Sequence, residues 1–385
     1  MAGRCNVYLV PGFFGFTSLG AFNYFYRVSE VLDDALKERC KEATVVECQT
    51  RPTGSIRRRA DRLLQDIIDT GGLEADELHL IGHSTGGLDV RMLVTPGVRL
   101  RPGPAEEQVA SRVRTAVTIS TPHFGTPLAS YFTTLPGRHL LEVLTLLATS
   151  TGGRQTIYLG ARALSLIAKL DDYVGLDKTT LDFLSHRLLE KVTRNADDPI
   201  WRFLKEVSSD QGAVVQLTPE GMDLFNAAVV DRSSVSYGCV LTASPRPFAH
   251  ELSTLLSLEG AALAAVYGLL HTVSGRQHRH YPYPSLAEQL KPAVQESYPF
   301  PVDHHANDAV VPLLSQIYGD VVSAAVADHL DVVGQFRGAG GGRESLTDWL
   351  PSGSRFGEER FRQVWRDVAE FIELGKVAAK APEQD

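Results

Sequence analysis

Cysteine is scarce: Cys5, Cys40, Cys48 and Cys239 are the only four in 385 residues. They are too few and too scattered for a disulfide framework or a zinc pattern, and read as buried thiols of a reducing compartment, with one bridge as the alternative. Positive charge is also short, 38 Lys and Arg against 46 Asp and Glu, for a formal net charge of −8. That balance favours solubility and argues against nucleic acid as a partner. The one basic cluster, Arg57-Arg58-Arg59, reads as the solvated face of a helix. Long hydrophobic runs are missing too. The most apolar stretch, Leu252 to Val273, carries Glu259, and its uncharged core from Gly260 to Leu270 is too short to span a membrane. It reads as a buried or cap helix. No secretory signal is visible, because the first apolar run ends at Pro11-Gly12 without a small-residue cleavage site. The expectation is a cytoplasmic protein, or a secreted one whose signal has been removed.

What is present is ordinary globular material, 43% hydrophobic and 22% charged, enough for one large domain or two. Its most informative stretch runs from Leu78 to Gly87. An apolar strand, Glu77 to Ile81, leads into Gly82-His83-Ser84-Thr85-Gly86, and Leu88, Met92 and Leu93 then recur at helical spacing until Pro96-Gly97 stops the helix. Strand, G-x-S-x-G and helix in that order make a nucleophile elbow, a sharp turn that lifts the serine hydroxyl clear of the backbone.

Around it the chain alternates. Asn6–Val10 reads as a strand, residues 21–39 as a helix with Val28, Val31, Leu32, Ala35 and Leu36 on one face, and Thr44–Val46 as a strand. A helix follows from Ser55, its N-cap, to Asp69; after the elbow, Val113–Ile119 is a fourth strand. This pattern predicts an α/β fold with a mostly parallel sheet and helices on both faces. The alternation breaks after Thr121–Pro127. Segments 139–149, 161–170, 180–192 and 200–207 read as helix, strand character returns at Val235–Leu241, and Phe361–Ala378 is an amphipathic closing helix. The expected organisation is a core segment 1–129, a helical lid or cap insertion 130–234, a core strand within 235–248, a second helical insertion 249–302, and a C-terminal core segment 303–385. Apolar positions such as Leu140, Leu144 and Leu147 suit a lid over the site.

A serine needs a base to take its proton and a carboxylate to orient that base. With a nucleophile elbow the chain order is serine, acid, histidine. His329, in Ala327-Asp328-His329-Leu330-Asp331, follows every plausible acid, just past Val321-Val322 as the end of the last strand. The preferred acid is Asp308, at the head of an apolar run, with Asp303 and Asp320 as rivals. His304 and His305 read as polar loop residues rather than metal ligands, since they lack spaced partners. A tetrahedral oxyanion needs backbone donors. Thr85, directly after the nucleophile, supplies one N–H, and Phe13, after Gly12 in the loop following the first strand, is the natural second. Phe14, Phe16 and His83 are placed at the substrate, at an apolar pocket mouth; the alternative is that at least two of Phe13, Phe14 and Phe16 are simply core.

Several of these stretches resemble bacterial true lipases of the Pseudomonas type, in the α/β-hydrolase superfamily. They are Pro11–Phe16 with Asn23-Tyr24, Gly82–Gly87, Thr121–Ala129, Leu217–Asn226, Asn307–Val311 and His329–Asp331. Two departures stand out: Pro11 replaces the family's usual histidine, and the segment from Leu241 to Asp308 is longer. The resemblance implies an α/β-hydrolase fold with helical cap insertions. It also implies hydrolysis of lipids or other long-acyl esters, at a lipid–water interface, through Ser84, Asp308 and His329, with no catalytic cofactor. Hydrolysis of other hydrophobic esters such as polyesters, acyl transfer, and a non-catalytic binding protein are the alternatives. The resemblance further suggests a structural calcium pinning the histidine loop through Asp331 and Gln335, with Glu251 or Glu288 as second carboxylate. Otherwise Asp331 is a loop carboxylate in a salt bridge or a helix cap.

Overall fold

Cys5–Val10 (β1) is buried along its whole length, as a strand covered on both sheet faces must be. Its side chains alternate between two cores. Val7 and Leu9 join Val28, Val31, Leu32, Phe361, Val364 and Trp365 on one face. Tyr8 and Val10 join Leu63, Leu64, Ile67, Val90, Leu93 and Val94 on the other. The structure, a computed structural model, describes residues 4–13, 18–19, 22–37, 43–134, 212–247, 258–276, 283–284, 286, 288, 290–338 and 350–378. The expected lid helices between 139 and 207, with Leu140, Leu144 and Leu147, lie outside them, as do Cys40 and Glu251.

The chain continues through a two-residue ladder, Ser18–Leu19 (β2) with Phe22–Asn23 (β3), to Val28–Lys37 (α1), Ala43–Glu47 (β4) and Ile56–Asp69 (α2). Glu77–His83 (β5), Thr85–Val94 (α3), Ala105–Ala110 (α4), Val113–Ile119 (β6) and Pro127–Phe132 (α5) follow. The later strands are Ser236–Ala243 (β7) and Asp320–Val326 (β8), with long helices at Leu258–Ser274 and Glu358–Ala378. Six strands form one sheet in the order β4-β1-β5-β6-β7-β8, every neighbouring pair parallel. From β1 the chain moves outward to β4 and then returns to the other side of β1 with β5. The order reverses between β1 and β5, and the crevice beyond the C-terminal ends of two such strands is where open α/β sheets bind ligands. The loop at Gly12 and the elbow at Ser84 sit at that reversal.

Four expectations need correcting. The helix expected over 21–39 begins only at Val28, because Phe22–Asn23 is paired as a strand and Arg27 takes a left-handed φ of 59° just before the helix. Ser55 precedes α2 but makes no side-chain cap; the Ile56 N–H instead donates to Gln216 Oε1 at 2.8 Å. The last strand runs on to Val326, past Val321-Val322. Arg57 and Arg58 are exposed as expected, but Arg59 is fully buried. Among the described residues no helix is long and apolar enough to cross a membrane, and Cys5, Cys48 and Cys239 are buried and in no disulfide.

Candidate active site

Strand β5 delivers Ser84 into a backbone conformation that an L-residue rarely takes, φ 54° and ψ −129°. Close packing holds it there. A Cβ on Gly82 would lie 2.4 Å from the Gly86 carbonyl carbon, and one on Gly86 would lie 2.3 Å from the Val10 carbonyl oxygen. Only glycine lets strand, elbow and helix approach this closely. The Ser84 N–H donates to the Ile119 carbonyl at 2.8 Å, tying the elbow to β6. Helix α3 starts at Thr85, so its first N–H groups, lacking intrahelical acceptors, and the positive end of its dipole gather next to the serine.

The loop after β1 lies against the serine. A Cβ on Gly12 would be 2.5 Å from Ser84 Cβ, 2.8 Å from the His83 carbonyl oxygen and 2.8 Å from Tyr24 Oη. The Gly12 N–H donates to Tyr24 Oη at 2.8 Å. The loop's carbonyls are held from below by Arg59, whose Nη2 donates to Pro11 O at 2.7 Å and Gly12 O at 3.0 Å. Arg59 is itself paired with the fully buried Asp89 of α3, Nη2 to Oδ2 at 2.8 Å. Burial outweighs that pairing at the Asp89 carboxyl and pushes it up to about 6. Phe13 is half-buried against the cluster of Ile56, Leu88, Leu217 and Met222. Phe14 and Phe16 lie outside the described residues.

Asp308 and His329 meet. His329 Nδ1 lies 2.8 Å from Asp308 Oδ2, and the His329 N–H donates to the Asp308 carbonyl at 2.9 Å. An ionised carboxylate only accepts, so the ring proton sits on Nδ1 and Nε2 is left with its lone pair, the state a general base needs. Asp308 is fully buried and well supplied with donors. Its Oδ1 accepts the N–H groups of Val310 at 3.0 Å and Val311 at 2.7 Å. Its Oδ2 also takes the Thr242 hydroxyl at 2.9 Å and the Gln316 amide at 3.4 Å. The turn that presents it has Ala309 at φ 76° and is closed by an Asn307–Pro312 bridge. Neither rival acid is at hand. Asp320 opens β8, at the far end of that strand from His329. Asp303 Oδ1 instead accepts the His305 N–H at 2.8 Å and the Ala306 N–H at 3.2 Å.

His83, expected to touch substrate, is fully buried, with Nδ1 2.7 Å from Tyr24 Oη and Nε2 2.9 Å from the His329 carbonyl oxygen. Successive residues of a strand face opposite sides, so the residue before the nucleophile points away from it. That bond places the histidine loop beside the elbow, with the His83 and His329 ring centres 4.7 Å apart. Burial, and then the neighbouring His329, hold the His83 imidazole well below its ordinary value.

The two residues expected at a calcium ion both make hydrogen bonds within the protein. Asp331 Oδ2 accepts the Asp328 N–H at 2.9 Å and the Ser354 hydroxyl at 2.8 Å. The Gln335 side-chain amide donates to the Asn23 carbonyl at 2.6 Å. It is Asp328 that caps the turn after His329, its Oδ1 accepting the N–H groups of Leu330 at 2.9 Å and Asp331 at 3.2 Å. Glu288 pairs with Lys291 at 2.5 Å on the surface. Among the described residues no group of three His, Cys, Asp or Glu side chains could hold a metal. Glu251, the other candidate for a second carboxylate, lies outside the described residues.

Sequence reading missed Tyr24 as a polar group, took the buried Arg59 for part of a solvated face, and missed Asp89, Thr242 and Gln316 altogether. Only Arg59 left a signal: it stands in the same stripe as Ile56, Ala60, Leu63, Leu64 and Ile67 on the buried face of α2.

No protein-family model matches the chain, and no curated protein matches it in sequence. Solved structures do. Lipase 1 from Pelosinus fermentans superposes with a TM-score of 0.54 at 17% identity, covering 96% of this chain and 99% of that one. Staphylococcus hyicus lipase matches with a TM-score of 0.51 at 13% identity, over 98% of this chain and 97% of its own. EstA from Clostridium botulinum matches with a TM-score of 0.52 at 17% identity, over 97% and 88%. At such identities the likeness speaks to the fold. Together with the parallel six-stranded sheet and its nucleophile elbow at the strand reversal, it shows that this chain has the α/β-hydrolase fold.

Proposed function

We propose that the protein is a serine carboxylic ester hydrolase acting on hydrophobic, medium- to long-chain acyl esters. The observation that carries this reading is the 2.8 Å bond from His329 to the buried Asp308, on a loop bonded to His83, the residue before Ser84. In the first half-reaction Ser84 Oγ attacks the ester carbonyl carbon while its proton passes to His329 Nε2. The oxyanion is held by the Phe13 and Thr85 N–H groups, Thr85 also offering the positive end of α3. The carbon–alkoxy bond then breaks, and the departing alcohol takes the proton from His329. In the second half His329 removes a proton from water, the hydroxide displaces Ser84 Oγ from the acyl carbon, and the proton returns to Ser84. Asp308, held in place by its donors from Thr242, Gln316, Val310 and Val311, stabilises the imidazolium formed in each half.

The preference for apolar acyl groups is supported by the apolar cluster around Phe13, by the resemblance to Pseudomonas-type lipases, and by the names of two similar structures, both lipases. The experiment is a series of p-nitrophenyl esters of rising acyl length, with Ser84→Ala as the blank. Turnover should persist through long chains, and Ser84→Ala should lower kcat by roughly 10⁴- to 10⁶-fold. No turnover on any ester, or turnover unchanged by Ser84→Ala, would defeat the reading.

A further inference from the structure

Three hydrogen bonds run in series from the oxyanion loop to the histidine loop, and chemistry fixes the direction of each. At one end the Gly12 N–H can only donate, to Tyr24 Oη at 2.8 Å. At the other end the His329 carbonyl can only accept, so the atom facing it at 2.9 Å, His83 Nε2, carries the imidazole proton. His83 Nδ1 is then the acceptor, and the Tyr24 hydroxyl proton is directed to it across 2.7 Å. All three groups are buried: Tyr24 is 4% exposed and His83 0%. Each of the three protons is thereby assigned to one acceptor, so none of the bonds can reverse while the others stand.

The histidine loop is also joined to the segment that carries Tyr24. Gln335, on the histidine loop, donates to the Asn23 carbonyl, and a Cβ on Gly334 would lie 2.1 Å from the Tyr26 carbonyl oxygen. The segment 23–26 is thus seated on the histidine loop, and Tyr24 reaches from it to Gly12.

We infer that Tyr24 and His83 are positioning residues that hold Gly12, and with it the Phe13 N–H, in register with the backbone of His329. The inference rests on the ester-hydrolase reading. Under it, the donor to the oxyanion and the base that accepts the serine proton must be correctly placed at the same moment, and a 1 Å misplacement of either is costly. Neither side chain touches the reacting atoms; both act through the groups that do.

The test is the split between kcat and KM in Tyr24→Phe, which keeps the buried ring and removes only the hydroxyl. On p-nitrophenyl butyrate the wild type and variant should share KM within about twofold while kcat falls about ten- to a hundredfold, as expected when transition-state contacts alone are disturbed. Binding of a trifluoromethyl ketone, which forms the tetrahedral oxyanion on Ser84, should weaken by the same factor. His83→Gln keeps one donor and one acceptor and should retain more activity than His83→Phe. In the serial arrangement Tyr24→Phe combined with His83→Phe should be no worse than His83→Phe alone. Thermal melting on the same samples separates a folding effect. If Tyr24→Phe kept kcat within twofold, or lost activity only in proportion to unfolded protein, the positioning role would be refuted. A wild type inactive on every ester would instead refute the underlying reading, and is told apart because no variant is needed to see it.

Discussion

Replacing Gly12 by alanine adds one carbon at the tightest point of the site. Its Cβ would stand 2.5 Å from Ser84 Cβ, 2.8 Å from the His83 carbonyl oxygen and 2.8 Å from Tyr24 Oη. Carbon atoms pack at about 3.5–4.0 Å, so the loop has to retreat by about 1 Å. Ser84 cannot give way, since its left-handed backbone is fixed between β5, β6 and α3. The loop carries the Phe13 N–H with it. A misplacement of about 1 Å costs about a hundredfold, and full loss of an oxyanion donor costs about 10²–10³-fold. We therefore expect kcat on p-nitrophenyl butyrate to fall about 100- to 1000-fold. Overpacking of this size costs about 1–3 kcal/mol of stability, so the variant should remain folded at 25 °C by circular dichroism. Gly338→Ala, whose added carbon meets nothing within 4 Å, is the control and should match wild type. A Gly12→Ala enzyme within threefold of wild type would refute the placement of the loop over the serine.

Stability should fall in mild acid. Burial holds the imidazoles of His83, His123 and His271 below their ordinary value, helped at His83 by His329 and at His123 by Arg91. Below about pH 6.5 the unfolded chain therefore binds protons that the folded chain refuses, and stability declines by about 1.4 kcal/mol per pH unit for each such histidine. Asp89, raised to about 6, works in the opposite sense below that pH and offsets one histidine. The melting temperature should drop between pH 7 and pH 5; a flat or rising profile would count against these buried neutral rings. Arg59→Met should cost about 3–5 kcal/mol in urea unfolding, because it strands the buried Asp89. Adding Asp89→Leu should recover part of that loss, and a double variant no more stable than Arg59→Met would contradict the pairing. Because the Asp331 carboxylate is already held by Asp328 and Ser354, neither chelator nor added calcium should shift the melting temperature. A calcium-dependent rise abolished by Asp331→Asn would overturn that reading.

The parts of the fold that were legible are those where local pattern and tertiary environment agree. Val113–Ile119 is a strand at the expected residues, and the buried face of α1 carries the expected Val28, Val31, Leu32, Ala35 and Leu36. The elbow at Ser84 was readable because its glycines, strand and helix are close together in the chain, and the pairing of Asp308 with His329 because chain order left a single histidine to try. What was not legible depends on distant pairings. Thr242 reaches Asp308 across 66 residues of chain, and Tyr24 reaches His83 across 59. No local spacing encodes such contacts. The surroundings of His83 were not legible either, since its bonds to Tyr24 and to the His329 carbonyl come from distant parts of the chain. Arg59 was misread through its neighbours, since a run of three arginines suggests solvent, whereas its place in the apolar stripe of α2 pointed to the core.

The central claim is that Ser84 is the nucleophile and that His329, oriented by Asp308, activates it. The most direct measurement is peptide mapping by mass spectrometry after reaction with a fluorophosphonate, which forms a covalent bond only with an activated serine. One adduct is expected, on the peptide containing Ser84, with labelling slowed at least about a hundredfold in His329→Ala because the base is gone. An adduct on a different serine, no adduct at all, or His329→Ala labelled as fast as wild type would contradict it.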